Sequence, residues 1–130
     1  MIDEGLRALL LQYPGVTAEI SDRVYPAPLP QGVALPAVTY ADISSVNSFS
    51  GNEADCLTRN WYQIDHWAAT REEAKRVELA TRRVLNGFFG KMPGGIRIGG
   101  IFRRNAWTMH EPDTQLWRAV TDYQINAIGE

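Results

Sequence analysis

Asp65 and His66 stand side by side in a run of aromatic and β-branched residues. Such a couple suggests general acid–base chemistry. The run alternates with period 2, so neighbouring side chains point to opposite faces of a strand and do not readily bond each other. His66 shares its face with Tyr62 and Ile64. A core histidine is therefore expected. His110, Glu111 and Asp113 are ligand-type residues close in sequence. A metal centre needs three or four convergent ligands and a supporting shell, and Pro112 divides this group, so a polar turn is expected. Arg97, Arg103 and Arg104 carry the chemistry of phosphate binding. Arg103 and Arg104 would face opposite ways on a strand, and the formal net charge is −2. Solvated or interface arginines are expected, without a basic nucleic-acid footprint.

Other chemistries lack their context. No glycine-rich loop stands between a strand and a helix, because Gly94-Gly95 and Gly99-Gly100 fall elsewhere. No serine occupies a nucleophile elbow. Cys56 is the only cysteine, which excludes an internal disulfide and Cys-rich zinc binding, and it has no activating neighbour. No catalytic, cofactor-binding or metal residues are expected, and an enzyme is not.

The 130 residues fit a single domain spanning 1–130, with 45% hydrophobic and 22% charged residues, as in ordinary globular chains. No apolar run approaches the ~18 residues of a membrane span. Asp3 and Glu4 replace the basic stretch of a secretory leader.

The elements that would position these side chains centre on Trp61–Asn86. Its first half reads as a strand with Tyr62, Ile64, His66 and Ala68 on one face. Thr70 then offers an N-cap, and Glu73 completes a capping box. Val77, Ala80, Thr81, Val84 and Phe88 recur at helical spacing. Arg71, Glu72, Lys75, Arg76, Glu78 and Arg82 would form the solvated face, with Glu78–Arg82 an i,i+4 pair. Gly87 suits a left-handed residue after the helix.

Before this unit, Ile2–Tyr13 predicts a first helix, stopped by Pro14 and Gly15. A short turn at 16–22 leaves room for one more helical turn. Arg23–Pro26 predicts a brief edge strand. Pro26, Pro28, Pro30 and Pro36 mark an extended connector. Ala37–Val46 and Leu57–Ala68 predict a hairpin with a long polar tip. After the central helix, strands from Ile96 to Met109 and from Trp117 to Ala127 flank a turn at 110–114. An α+β fold is expected: a mainly antiparallel sheet of four to five strands with two helices on one face.

Trp61 and Trp67 fall on the face opposite Tyr62 and Ile64. Either they lie on an open side of the sheet as a protein-binding surface, or the proline-rich connector covers them. The hairpin tip is the other candidate surface, because long loops on rigid scaffolds carry contacts. The protein-interface candidates are thus Asn47, Ser48, Phe49, Ser50, Gly51, Asn52, Trp61 and Trp67.

Segments spread over nearly the whole chain carry a family resemblance. They are Gly5-Leu6-Arg7-Ala8-Leu9-Leu10, Asp22-Arg23-Val24-Tyr25-Pro26, Leu29-Pro30-Gln31-Gly32 and Leu35-Pro36-Ala37-Val38-Thr39-Tyr40. The centre is Gln63-Ile64-Asp65-His66-Trp67-Ala68, followed by Glu73-Ala74. Gly100-Ile101-Phe102 and Glu111-Pro112-Asp113-Thr114-Gln115-Leu116-Trp117-Arg118 complete it. In order and spacing these resemble the small tail-completion proteins of long-tailed bacteriophages and prophages. The resemblance implies an α/β fold of this kind and a structural role without catalytic residues or cofactors. It implies a ring, commonly a hexamer, that caps the tail tube and presents it to the head–tail connector protein. The implied partners are further copies of the chain, the tail tube protein and the connector. No membrane and no sequence-specific nucleic acid are implied. The implied place is the virion's head–tail interface, after assembly in the host cytoplasm.

Three other readings compete. A head-side neck protein of the same virion would share size and construction. A small enzyme or metal protein would have to join His66 with Asp65 or His110. A nucleic-acid module would bind with strong salt dependence.

Overall fold

The computed structural model describes residues 2–48 and 57–128. Strand β3 (Leu57–Ala68) and helix α3 (Arg71–Leu85) form the central unit, joined by two residues. Thr70 is extended, and its hydroxyl accepts a hydrogen bond from the Glu73 amide at 3.2 Å. This satisfies one of the free N–H groups at the helix start and contributes about 1 kcal/mol. Gly87 takes φ +85°, which a side chain would resist.

Six strands form one sheet in the order β1-β2-β3-β6-β5-β4. Strand β1 (Val24–Pro26) runs parallel to β2 (Ala37–Ser48), and every other pairing is antiparallel. The long strands β5 (Arg97–Glu111) and β6 (Leu116–Ile128) make the second hairpin, and β4 (Gly90–Lys91) pairs only with the start of β5. Helices α1 (Ile2–Leu11) and α2 (Pro14–Ile20) join α3 on one face. Leu6, Leu10, Val16, Ile20, Val77 and Leu85 pack there against Val38, Tyr40, Tyr62, Ile64, Ile101, Tyr123 and Ile125. Period-2 alternation explains this strand face, since these positions face one another across the ladders.

The α+β class is as expected, but the counts need correction. There are six strands and three helices among the described residues, not four to five and two. Pro14 does not merely stop the first helix. It occupies the first turn of α2, where its missing N–H costs nothing. Strand β4 is too short for any periodicity. The first hairpin strand continues past Val46, so Asn47 and Ser48 pair with Thr58 and Leu57 instead of belonging to the tip. Phe49, Ser50, Gly51, Asn52 and Cys56 lie outside the described residues. Strand β5 runs to Glu111, and its turn falls at 112–115, with Gln115 at φ +61°.

Candidate assembly surfaces

His66 lies on the inward face of β3 and is completely buried. Its Nδ1 lies 2.8 Å from the Ala119 carbonyl, which can only accept, so Nδ1 carries the proton. Nε2 of the neutral ring then accepts from the Thr81 hydroxyl at 2.6 Å. That hydroxyl has a single proton, so its 3.0 Å approach to the Glu78 carbonyl is not a second donation in this state. Burial pushes the His66 pKa down to about 4, and the Ala119 bond and the nearby Glu78 charge only partly oppose it.

Glu78 corrects the sequence reading. It is 5% exposed and does not belong to the solvated helix face. Arg82 reaches its two carboxylate oxygens at 3.2 and 2.6 Å, Arg103 donates at 3.0 Å, and the Thr121 hydroxyl at 3.3 Å. Burial alone would raise its pKa. The Arg82 hydrogen bond and the Arg103 and Arg82 charges outweigh that and hold it low. Tyr123, beside this cluster, has its phenol pushed up by burial. A cleft of about 300 Å³ opens next to the cluster, between Lys75, Glu78 and Arg82 of α3 and the β5–β6 ladder at Arg103, Ala106 and Ala119.

A signal for Glu78 was present. Ala74, Val77, Glu78, Thr81 and Leu85 are the buried residues of α3, spaced by three and four. Of the expected stripe, Val77 and Thr81 are buried, whereas Ala80, Val84 and Phe88 pack at the margin of the core. His66 and Asp65 point to opposite faces, as alternation required. A buried, neutral His66 hydrogen-bonded at both nitrogens positions α3 on the sheet and offers no open acid–base site.

On the opposite face, Asp65 is buried beside Arg118, whose Nε lies 3.1 Å from its Oδ2. Arg118 also binds Glu111 at 2.9 Å and sits 5.1 Å from the centre of the Trp67 ring. Burial raises the Asp65 pKa, and Arg118 opposes the rise. Trp67 is half-buried, and its indole N–H donates to the Thr39 hydroxyl at 3.0 Å. It also lines a cleft of about 450 Å³ with Pro28, Leu29, Pro30, Val33 and Leu116. Trp67 and the proline-rich connector therefore line one cleft. Trp61, also half-buried, stands on the same face between Ser44 and Gln124.

The remaining candidates disperse. His110 packs on Trp117 with ring centres 5.0 Å apart, and Glu111 binds Arg118. Among the described residues no three His, Cys, Asp or Glu side chains come together as a metal site. Arg103 is held by Glu78, whereas Arg104 stacks on Phe102 at 5.2 Å and donates to Gln124. No described helix is long and apolar enough to cross a membrane.

The sheet leaves two stretches of strand edge without backbone partners among the described residues. On β2, strand β1 covers Val38–Tyr40 and leaves 41–48, where Ile43 and Val46 are each 54% exposed. On β5, β4 covers Arg97 and Ile98, while Ile101 and Arg103 bond to the segment at 86–88. Residues 104–111 remain, with Trp107 and Met109 exposed.

The family model for tail completion protein gp17 matches residues 4–126. The chain belongs to this tail-completion family. The resemblance read from the sequence thus holds over nearly the whole chain, and the protein is a structural component of phage tails. A chain from a solved structure of the virion of a native gene transfer agent particle has the same fold. It matches with a TM-score of 0.76 and 16% identity, covering 95% of this chain and 92% of that one. Comparison with curated proteins gives no match.

Proposed function

We propose that this tail-completion protein caps the tail tube and joins the tail to the head connector as a ring, a hexamer by family resemblance. The family match over residues 4–126 carries the reading. The build of the molecule supports it: the buried carboxylates Glu78 and Asp65 are each paired with arginine, while strand edges and several apolar side chains are left at the surface. A ring subunit needs such surfaces and no reactive pocket. Its partners in this reading are copies of itself, the tail tube protein and the connector protein.

Electron microscopy of particles from a deletion of this gene tests the role. DNA-filled heads beside unattached tails are expected. Empty heads with finished tails would move the protein to the head side of the neck. Normal infectious particles would refute the structural role.

Residues 47–55 are assigned as a contact that forms on the tail tube or a neighbouring subunit, through Asn47, Ser48, Phe49, Ser50, Gly51 and Asn52. Deleting Ser48 to Glu53 is expected to preserve folding and abolish tail joining; normal joining refutes the assignment. Trp61 and Trp67 are assigned to a subunit contact, Trp67 through the cleft that it lines with the proline-rich connector. Wild-type assembly of Trp61→Ala removes Trp61 from that contact.

A further inference from the structure

The two uncovered strand edges have properties that fit each other. Following the ladders from β2 through β3 and β6 to β5, each step is antiparallel. Four strands in strict alternation leave β2 and β5 running in opposite directions. A second copy in the same orientation would therefore bring its β2 edge antiparallel to the β5 edge of the first. Antiparallel pairing is the more stable ladder.

The uncovered stretches also match in length, 41–48 on one edge and 104–111 on the other. Charged side chains are sparse in their central parts: none occurs from Ile43 to Ser48 or from Asn105 to Met109. Natural edge strands are usually protected by lysines, prolines, bulges or cover; each stretch has a bulge near its start, at Asp42–Ser44 and Arg103–Asn105, and beyond it contains neither lysine nor proline. Val46, Trp107 and Met109, exposed apolar residues of these edges, share one face. Val46 pairs with Arg59 two residues along from Ser44–Trp61 and so shares that pair's face, away from the helices. Trp107 and Met109 pair with Val120 and Arg118 on that same face. Joining the edges would set Val46 of one copy beside Trp107 of the next, as a cross-strand apolar pair.

We infer that copies of this chain associate head to tail, the 104–111 edge of β5 in one copy pairing antiparallel with the 41–48 edge of β2 in the next. The inference rests on the ring reading above and adds which surfaces meet. It also fixes a stagger. Tyr40 is level with Ile64, Thr121 and Ala106 across the sheet. By the same ladders, the middle of the free β2 edge at Ser44 and Ser45 is level with Phe102 and Ile101, whereas the middle of the free β5 edge lies near Trp107 and Thr108. Val46 is level with Asn126 of β6 and Trp107 with Val120, so setting Val46 beside Trp107 offsets neighbouring copies by about six residues along the strands, roughly 20 Å at 3.3 Å per residue. A closed ring absorbs such an offset only if its strands tilt against the ring axis, as in barrels.

The test uses two full-length variants, one per edge. Ile43→Lys/Val46→Lys blocks the β2 edge, and Trp107→Lys/Met109→Lys blocks the β5 edge. Self-association is read by native mass spectrometry and sedimentation, with thermal unfolding as a check of folding; Val46→Lys and Trp107→Lys singly replace a double variant that does not fold. Wild-type chain is expected to form rings. Each variant alone is expected to lose self-association by about tenfold or more, and their mixture to give a 1:1 dimer that grows no further, since only one intact edge remains on each partner. Either variant assembling alone like wild type, or a mixture that stays monomeric while wild type forms rings, overturns the edge pairing and leaves the ring reading intact. A wild-type chain that stays monomeric at every concentration overturns both.

Discussion

Acidification tests the His66 cluster most directly. In the folded chain His66 is neutral, donates to Ala119 and accepts from Thr81, with its pKa lowered from 6.5 to about 4. Between these values the unfolded chain binds a proton that the folded chain refuses. Stability therefore rises with pH through this window and is lost as pH falls from about 6.5 toward 4. At 1.36 kcal/mol per pH unit, the loss attributable to His66 by pH 4 is about 3 kcal/mol. Glu78, lowered from 4.5, loses its contribution as pH falls through that value toward its folded pKa, while Asp65, Asp42 and Asp122, raised by burial, act with the opposite sign. The comparison with His66→Gln separates these contributions, because the carboxylates remain in both proteins. Urea unfolding followed by tryptophan fluorescence at pH 7, 5.5 and 4 gives the two profiles. Wild type is expected to lose about 3 kcal/mol more than His66→Gln over that range. Superimposable profiles would refute the assignment of a buried neutral imidazole.

Further substitutions probe the same framework. Glu78→Ala leaves Arg82 and Arg103 beside each other without their shared carboxylate. Breaking a fully buried pair costs about 3–5 kcal/mol; these guanidinium groups reach water, so about 2–3 kcal/mol is expected in urea unfolding. Thr70→Ala removes the cap on the Glu73 amide and should cost about 1 kcal/mol, whereas Thr70→Ser should cost little. Ile64→Ala opens a hole in the fully buried centre of β3, and a loss of about 2–5 kcal/mol in equilibrium unfolding is expected.

The strand–helix unit was legible because its signals are local. Alternation over Leu57–Ala68 requires only neighbours along one strand, and the Thr70 cap requires only the next three residues. The same locality made His66 readable as a core residue and the proline-rich stretch as a connector. The family, too, was legible from the order of short segments along the chain.

Other features depend on contacts far apart in sequence, and only the tertiary structure decided them. Strand β4 exists because Gly90 and Lys91 meet Arg97 and Ile98, not because two residues have a propensity. Glu78 lies on the flank of an amphipathic helix, where local spacing leaves burial open. It is buried because Arg103 and Thr121, from two other strands, arrive to bond its carboxylate, and an unpaired charge could not stay there. Trp67 faces away from the helices on the alternation of its own strand, yet Pro28, Leu29 and Pro30 of the distant connector line one cleft with it. The uncovered edges were invisible for the same reason. Whether a strand has a free side is a property of sheet order, and sheet order is set by long-range pairing energies that no single segment contains.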